Sequence, residues 1–208
     1  ARSQCLKLKV TVKDPYEYAR FPRLRAIADN ARPFTLFFPL IGGFFILLAS
    51  ALYTGAPIDL QKFLLAIIAL IMINASGNSL NAVTDIEIDK VNKPYRPLPR
   101  GIISIREALM GVYVEAIIAL TALYLLGTRS FVLGVLTMIV TYLYSLEPVR
   151  LKKRFLLSNI GQGLSRGVLG LLTAWSVFSD PLDPFILGFC SGLFLYLIGA
   201  SAVKDFPD

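Results

Sequence analysis

Residues 60–89 read LQKFLLAIIALIMINASGNSLNAVTDIEID, and this stretch decides the fold. Its first half is a long apolar run with one charged residue, Lys62, and such a run is typical of a helix that crosses a membrane. Its second half is polar. At about 100° per residue, four polar side chains fall within roughly 80° of one helical face: Asn78, Asn81, Asp85 and Asp89. The stretch predicts a membrane-spanning helix that ends in aligned carboxylates and amides.

These aligned side chains are candidates for a functional site, because charged groups at the edge of a membrane are costly to place there. Glu87 points to the opposite side of the helix. Aligned carboxylates usually serve a divalent cation or a proton path. A polar network that only joins neighbouring helices is the structural alternative. It is disfavoured because the four residues end at a basic connection rather than in the middle of the span.

The whole chain has the composition of a membrane protein. Of its 208 residues, 55% are hydrophobic, and the mean hydropathy is +0.64. The apolar residues fall in membrane-length runs. Six runs are candidate spans: Pro33–Tyr53, Leu60–Asp89, Ile105–Leu126, Phe131–Leu146, Ser158–Phe178 and Pro184–Asp208. The sequence predicts an all-α fold, a polytopic bundle of transmembrane helices in a lipid bilayer.

The net charge is +7, and its distribution predicts the topology. Basic residues concentrate before the first span and in the connections that follow the second and fourth spans. By the positive-inside rule, the N-terminus and these connections lie in the cytoplasm, as in a multi-pass protein of the cell membrane. Two regions are expected: a cytoplasmic basic segment, 1–31, and a transmembrane domain, 32–208. No nucleic-acid partner is expected, because the spans divide the basic groups and no nucleic-acid fold is apparent.

Three span ends are expected to meet at one membrane face, since the even-numbered spans of such a chain all run toward the cytoplasm. The second ends in the Asn/Asp face, the fourth in Tyr144 and Ser145 before a basic connection, and the sixth in KDFPD at 204–208. Carboxylates can hold Mg²⁺ through oxygen ligands, and Arg and Lys can clamp phosphate oxygens. With apolar spans beneath, the arrangement suits a diphosphate head group on a hydrocarbon tail.

Four segments resemble the motifs of the UbiA superfamily of intramembrane prenyltransferases. NAVTDIEID at 81–89 and NKPYRPLPRG at 92–101 are similar to the family's NDxxDxxxD motif and its NxPxRPxxxG loop. YSLEPVRLK at 144–152 is similar to YSxxPxRxK. KDFPD at 204–208 is similar to the start of the second Asp-rich motif. The four segments occur in order, at the matching spans, across nearly the whole chain.

The resemblance implies a helical membrane fold around a central cavity, and an enzyme that moves an isoprenyl chain from a polyprenyl diphosphate to a lipophilic acceptor. It also implies Mg²⁺, with two ions. The implied metal ligands are Asn81, Asp85, Asp89, Asp205 and Asp208. The implied substrate-binding residues are Arg96, Arg150 and Lys152, and further candidates are Asn78 and Arg32. The implied catalytic residues are Asp85, Asp205, Tyr144 and Ser145. An aromatic face such as that of Tyr144 can stabilise a carbocation.

The chain departs from the family pattern in two respects. The second position of the first motif, usually Asp, is Ala82, so Asn78 one turn earlier is a candidate helper. The family has about nine membrane-length helices, whereas six are found here, and the chain stops at Asp208, inside the second motif. The sequence is therefore expected to be part of a longer protein, truncated at its carboxyl end.

Alternatives remain open at the level of sequence. The carboxylates could coordinate ions or protons in a transporter or channel, although such sites more often lie near the membrane midplane at broken helices. A lyase or cyclase could act on the same diphosphate. Single basic residues in such connections are often only topology determinants, and Tyr144 could belong to an interfacial aromatic belt. Arg166, inside the fifth span, could reach the diphosphate or the membrane surface.

The acceptor is the least determined part of the prediction. Members of the family prenylate quinone precursors, haem, chlorophyll precursors or the glycerol phosphate ether of archaeal lipids. The segment EIDKVNKP at 87–94 resembles members that use geranylgeranyl chains, including the archaeal ether-lipid enzymes. Neither the prenyl chain length nor the oligomeric state follows from the sequence.

Overall fold

The computed structural model describes residues 16–203, and the side chains of all of these except 155, 202 and 203. Within that range the regular elements are all helical, which confirms the predicted fold class. The α-helices are α1 (Pro22–Asn30), α2 (Phe37–Thr54), α3 (Leu60–Thr84), α4 (Ile86–Asn92), α5 (Ile105–Leu126), α6 (Thr128–Leu143), α7 (Phe155–Gln162), α8 (Gly170–Trp175) and α9 (Pro184–Val203). Short 3₁₀ turns lie at Pro33–Leu36 and Leu151–Lys153, and a π-helical segment, Gly163–Leu169, joins α7 to α8.

Among the described residues, four helical segments are long and apolar enough to cross a membrane: Pro33–Thr54, Leu60–Thr84, Ile105–Leu126 and Pro184–Ser201. They correspond to the first, second, third and sixth predicted spans. The fourth predicted span is α6, an apolar helix of 16 residues. The fifth is the run from α7 to α8, which its π-helical segment divides. The chain is thus a multi-pass helical membrane protein, as predicted.

The prediction of one continuous helix through Asp89 is wrong. Helix α3 ends at Thr84, and Asp85 departs from helical geometry with φ −104° and ψ 11° before the chain resumes as α4. The last carbonyl groups of a helix lack helical donors, and Nη2 of Arg150 donates to the carbonyl oxygen of Thr84 at 3.3 Å. The break is therefore supported by a contact from the connection after α6, which no pattern within the stretch itself could reveal.

Helix α3 is the centre of the bundle. It packs along α5 and also contacts α2 and α6. Its buried side chains include many Ala, Ser and Gly residues, and small residues let helix backbones approach closely. One buried cluster joins α3, α5 and α6: Ala69, Ile73, Ala119, Ala122, Leu123 and Met138. Because α3 is enclosed by other helices, the polar half of α3 meets protein groups rather than lipid.

Gly77 lies where α3 packs closely against α6. A Cβ atom at this position would overlap with Cγ2 of Thr141. We expect Gly77→Ala to lower the free energy of unfolding by about 1–3 kcal/mol, because the added methyl group overpacks the interface. Thermal unfolding of the purified protein in detergent measures this change. Gly42→Ala is the matched control, since no atom lies within 4 Å of a Cβ there; equal melting temperatures for the two variants would contradict the close packing.

Helix α1 rests on the bundle and positions the entry to the first span. Ala26 is fully buried in a cluster with Ile103 and Ala108. Nδ2 of Asn78 donates to the carbonyl oxygen of Ala31 at 2.9 Å. These contacts tie the chain to α3 and α5 immediately before the first span. They therefore place Arg32, the residue that follows Ala31, at the Asp85 end of the bundle.

Candidate functional site

Asn81 and Asp85 face the connection between α6 and α7, and their oxygen atoms converge on one ammonium group. Nζ of Lys152 donates to Oδ1 of Asn81 at 2.8 Å and to Oδ1 of Asp85 at 2.6 Å. It also donates to Oγ1 of Thr84 at 3.2 Å. Burial lowers the pKa of Lys152, and the bond to Asp85 acts in the opposite direction. The two side chains at the end of α3 can thus share a single positive charge.

Arg150 supplies a second cation to Asp85. Its Nη2 donates to Oδ1 of Asp85 at 2.9 Å, and its Nη1 donates to Oε1 of Glu147 at 2.9 Å. The same Glu147 oxygen accepts from Nζ of Lys153 at 2.6 Å. Hydrogen bonds from Lys153 and Arg150 lower the pKa of Glu147, and the bond to Glu147 raises the pKa of Arg150. Arg150 is therefore charged and held between two carboxylates.

Arg150 shares an uncommon backbone conformation with Arg32. The φ angle is 31° at Arg150 and 56° at Arg32, and no other non-glycine residue in the described range has a positive φ. This region is costly for a residue with a Cβ atom, and backbone strain concentrates at ligand sites. The two strained positions mark the two connections that carry these arginines to the Asp85 end of the bundle.

Asp89 belongs to a separate ion pair. Its carboxylate is 4% exposed, and its Oδ2 accepts from Nη1 of Arg96 in the loop that follows α4. Nζ of Lys93 lies 3.9 Å from Oδ1. The break at Asp85 thus divides the predicted carboxylate face: Asp85 meets the α6–α7 connection, whereas Asp89 meets its own loop.

Tyr144 and Ser145 follow α6 directly and lie at the same end. Oγ of Ser145 donates to Oδ1 of Asn81 at 3.1 Å. The hydroxyl of Tyr144 accepts from Nε2 of Gln162 at 3.1 Å and from Oγ of Ser158 at 3.4 Å. Two side chains of α7 therefore hold the tyrosine ring in place. An immobilised ring can present its face to a positive charge.

Asn78 makes a structural contact rather than joining the cations of the site. Its Nδ2 donates to Oγ1 of Thr35 at 2.8 Å as well as to the carbonyl oxygen of Ala31. Both acceptors belong to the segment that leads into the first span. The amide of Asn78 therefore joins α3 to that segment, and its role in substrate binding stays a prediction.

Arg32 lies among the charged groups of the site, and its buried Nε has no hydrogen-bond partner among the described residues. Burial and the nearby Arg96 lower the pKa of Arg32, while Asp89 and Asp85 act in the opposite direction. Arg32 also lines a small, partly open cleft with Asn30, whose buried Nδ2 likewise has no partner there. Buried donors are normally paired, so these two nitrogens can donate to an acceptor oxygen that enters the cleft.

Sequence reasoning missed three side chains that support the site: Thr84, Ser158 and Gln162. Thr84 accepts from Lys152, and the other two donate to Tyr144. Each of these hydrogen bonds joins residues of two different elements of the fold. No local pattern distinguishes these polar residues from others in the chain, so only the packing of α3, α6 and α7 identifies them.

The predicted second acidic group, Asp205 and Asp208, lies outside the described residues. Within residues 16–203, no three or more His, Cys, Asp or Glu side chains gather as a metal site. Asn81 and Asp85 nevertheless present oxygen atoms, the ligand type that Mg²⁺ prefers, toward one point where Lys152 supplies a positive charge. The donor set at this point fits Mg²⁺.

A bundle of membrane-length helices, with carboxylates, amides and cations gathered at one end, defines a helical membrane protein with a charged site beside its apolar spans. The profile of the UbiA prenyltransferase family matches residues 43–208. The chain belongs to this family, as its motifs predicted.

The chain is similar to curated digeranylgeranylglyceryl phosphate synthases. The protein of Sulfurisphaera tokodaii is 37% identical over 124 residues, which is 60% of this chain and 41% of the relative. The protein of Pyrococcus furiosus is 36% identical over 163 residues, which is 78% of this chain and 56% of the relative. The chain spans about half the length of the curated relatives it matches.

Solved structures share the fold. One, from a study of digeranylgeranylglyceryl phosphate synthase in membranes, has a TM-score of 0.78 and 27% identity, and the match covers 88% of this chain and 62% of that chain. A UbiA homologue from Archaeoglobus fulgidus bound to GPP and Mg²⁺ has a TM-score of 0.63 and 21% identity, and the match covers 83% and 60%. The helical arrangement described above is thus that of UbiA proteins.

Proposed function

We propose that the protein containing this chain transfers a prenyl group from a prenyl diphosphate to a lipophilic acceptor, with Mg²⁺ as cofactor. The observation that carries the proposal is the meeting of Asn81 and Asp85 with Lys152 and Arg150 at the end of a membrane-spanning helix. When oxygen ligands for a metal lie beside cations that bind phosphate, they can together bind a single diphosphate substrate and its metal ion. Family membership and the likeness to a homologue bound to GPP and Mg²⁺ support it.

The metal ligands proposed for this chain are the oxygen-bearing side chains of its two acidic motifs: Asn81, Asp85 and Asp89 for one ion, and Asp205 and Asp208 for a second. When bound, Mg²⁺ neutralises charge on the leaving diphosphate. The convergence of Asn81 and Asp85 on one cation supports the first position. The second position rests on the motif resemblance.

The cations proposed to bind the diphosphate are Arg96, Arg150 and Lys152. Each is oriented by a carboxylate, and guanidinium and ammonium groups form strong hydrogen bonds to phosphate oxygens. In the reaction the bond between the first prenyl carbon and oxygen breaks, and its electron pair leaves on the diphosphate. The acceptor's hydroxyl oxygen forms the new bond and its proton is released. The ring of Tyr144, held by α7, stabilises the positive charge on the prenyl carbon, and Ser145 orients Asn81.

The proposed acceptor is a glyceryl phosphate that already carries one geranylgeranyl group, and the proposed donor is geranylgeranyl diphosphate. The name of the similar curated proteins supports both, since a digeranylgeranylglyceryl phosphate is the product of such a transfer. Basic residues in the loop after α4 and in the α6–α7 connection support a cytoplasmic active site by the positive-inside rule. The transport alternative has no support from the comparisons.

The test is diphosphate release by the purified full-length protein, supplied with geranylgeranyl diphosphate and the glyceryl phosphate acceptor. We expect release and prenylated product with Mg²⁺, neither with EDTA, and recovery of both when Mg²⁺ is restored. This follows because an unshielded diphosphate is a poor leaving group. Release that persists in EDTA would contradict the metal assignment. Absence of release with every acceptor, with Mg²⁺ present, would contradict the proposed transfer.

A further inference from the structure

The small, partly open cleft beside Arg32 is formed by three parts of the chain. Asp29 and Asn30 line it from the end of α1, with Arg32 two residues further on. Ala82 lines it from α3, and Arg96 lines it from the loop that follows α4. The cleft thus lies where the segment before the first span meets the polar half of α3.

Two buried donors of this cleft have no hydrogen-bond partner among residues 16–203. They are Nδ2 of Asn30 and Nε of Arg32. Asn30 is only 4% exposed, so bulk water does not pair its amide. Buried donors in native proteins are nearly always paired, and each exception calls for an explanation. Because both residues line the same cleft, one acceptor atom that enters it can pair both nitrogens.

The backbone that carries these two donors is fixed to α3. Nδ2 of Asn78 donates to the carbonyl oxygen of Ala31 at 2.9 Å and to Oγ1 of Thr35 at 2.8 Å. Oγ1 of Thr35 in turn donates to the carbonyl oxygen of Arg32 at 2.8 Å. These bonds hold Arg32 in its left-handed conformation, with φ 56°. The donors are therefore placed before a ligand binds, which lowers the entropic cost of binding.

The charges that line the cleft favour an anion over water. Asp29 is the carboxylate of the lining, and its Oδ2 already accepts from the hydroxyl of Tyr16 at 2.9 Å and lies 3.9 Å from Nε of Arg25. Helix α3 adds no carboxylate, because its lining residue is Ala82, at the motif position that is usually Asp. The guanidinium of Arg32 therefore meets no lining carboxylate that is not already engaged.

The cleft adjoins the groups proposed to handle diphosphate. Ala82 directly follows Asn81 in α3, and Arg96 lines the cleft while it pairs with Asp89. At about 100° per residue, Ala82 faces to one side of Asn81, which binds Lys152. An oxygen atom of a molecule bound at the site can therefore enter the cleft without displacing Lys152.

We propose that Asn30 and Arg32 together bind a phosphate oxygen of a substrate, with Nδ2 of Asn30 and Nε of Arg32 as the donors. This inference rests on the proposed function, in which both the donor and the acceptor carry phosphate. Hydrogen bonds from a guanidinium to an anionic oxygen are short and strong. Asn30 lies in none of the motif segments, so this contact adds a residue outside them that recognises substrate.

The test measures two KM values in the full-length protein and its Asn30→Asp variant, one for geranylgeranyl diphosphate and one for geranylgeranylglyceryl phosphate. The substitution keeps the size of the side chain but exchanges a donor for a negative charge, which repels phosphate. The new carboxylate can pair with Arg32, so the fold should be retained. We expect one KM to rise by about 10- to 100-fold and the other to change by less than about two-fold.

The KM that rises identifies the source of the phosphate oxygen. A rise for geranylgeranylglyceryl phosphate assigns the cleft to the acceptor, and a rise for geranylgeranyl diphosphate assigns it to the donor. Arg32→Lys keeps the positive charge but has no N–H at the position of Nε. It should raise the same KM by about three- to ten-fold.

Ala28→Asp is the matched control, because it adds the same negative charge at an exposed position of α1, two residues before Asn30. It should leave both KM values within about two-fold. Unchanged KM values in Asn30→Asp would mean that water alone fills the cleft, and would overturn the inference while the proposed function stands. An equal rise in both KM values, or a rise that Ala28→Asp reproduces, would also overturn it.

Wild-type protein that transfers no prenyl group would contradict the proposed function and this inference with it. If Asn30→Asp fails to fold, Arg32→Lys decides. Unchanged KM values in that variant would overturn the inference.

Discussion

Asp85→Asn is expected to reduce kcat/KM for prenyl transfer by about 10²–10³-fold, the usual effect of removing one preorganised electrostatic group from an active site. The asparagine keeps the size of the side chain and an oxygen acceptor for Lys152, so the fold should be retained. It removes the negative charge that Lys152 and Arg150 share and that strengthens the binding of a divalent cation. Initial rates of diphosphate release across a Mg²⁺ titration measure both the loss of rate and the change in Mg²⁺ affinity. The half-saturating Mg²⁺ concentration should rise.

Glu87→Gln is the matched control for Asp85→Asn. Glu87 lies two positions along the chain, its side chain is 77% exposed, and it pairs with Lys90 at 2.7 Å. Removing its charge should leave the rate within about two-fold, since exposed ion pairs contribute little. Full activity in Asp85→Asn would remove Asp85 from the metal site. An equal loss in both variants would mean that the overall charge of this segment, rather than one ligand, controls the rate.

Lys152→Met is expected to reduce kcat/KM for prenyl diphosphate by about 100-fold, at the upper end for a charged hydrogen bond. The ammonium group joins Asn81, Asp85 and Thr84, so its loss both removes a phosphate-binding cation and frees the two proposed metal ligands. Methionine fills a similar volume, which limits the effect on packing. Steady-state kinetics with varied prenyl diphosphate should show a higher KM and a lower kcat together.

Lys153→Met provides the comparison for Lys152→Met. Lys153 is the next residue, its side chain is 60% exposed, and it pairs with Glu147 outside the Asn81–Asp85 contact. Its replacement should have little effect on either constant. If both lysine variants lose activity to the same degree, the basic connection acts through its overall charge. If neither does, Lys152 is only a topology determinant.

The fold class and the end of the bundle at which the charged residues gather could be predicted from the sequence because they depend on local composition. Long apolar runs predict helices in a membrane whatever their neighbours are, since a bilayer admits no unpaired backbone groups. The segments around Asp85, Arg96 and Lys152 carry recognisable spacing, and span parity brings their ends to one face. The structure indeed joins Asp85 with Lys152, and Asp89 with Arg96.

The errors and omissions of the sequence analysis share one cause. The break of α3 at Asp85 accompanies a contact from Arg150, which lies 65 residues further along the chain. Asn78 binds the segment before the first span rather than the cations of the site. Periodicity describes a single helix and contains no information about partners from other elements.

What the sequence determined by itself was therefore the class of fold, the membrane setting and the residue types that meet at one end of the bundle. These follow from hydropathy, charge and spacing, which are properties of short segments. Only the tertiary structure decided which carboxylate pairs with which cation and where α3 stops. Pairing energies of buried charges depend on distances of a few ångströms between elements remote in sequence, and only the packed helices set those distances.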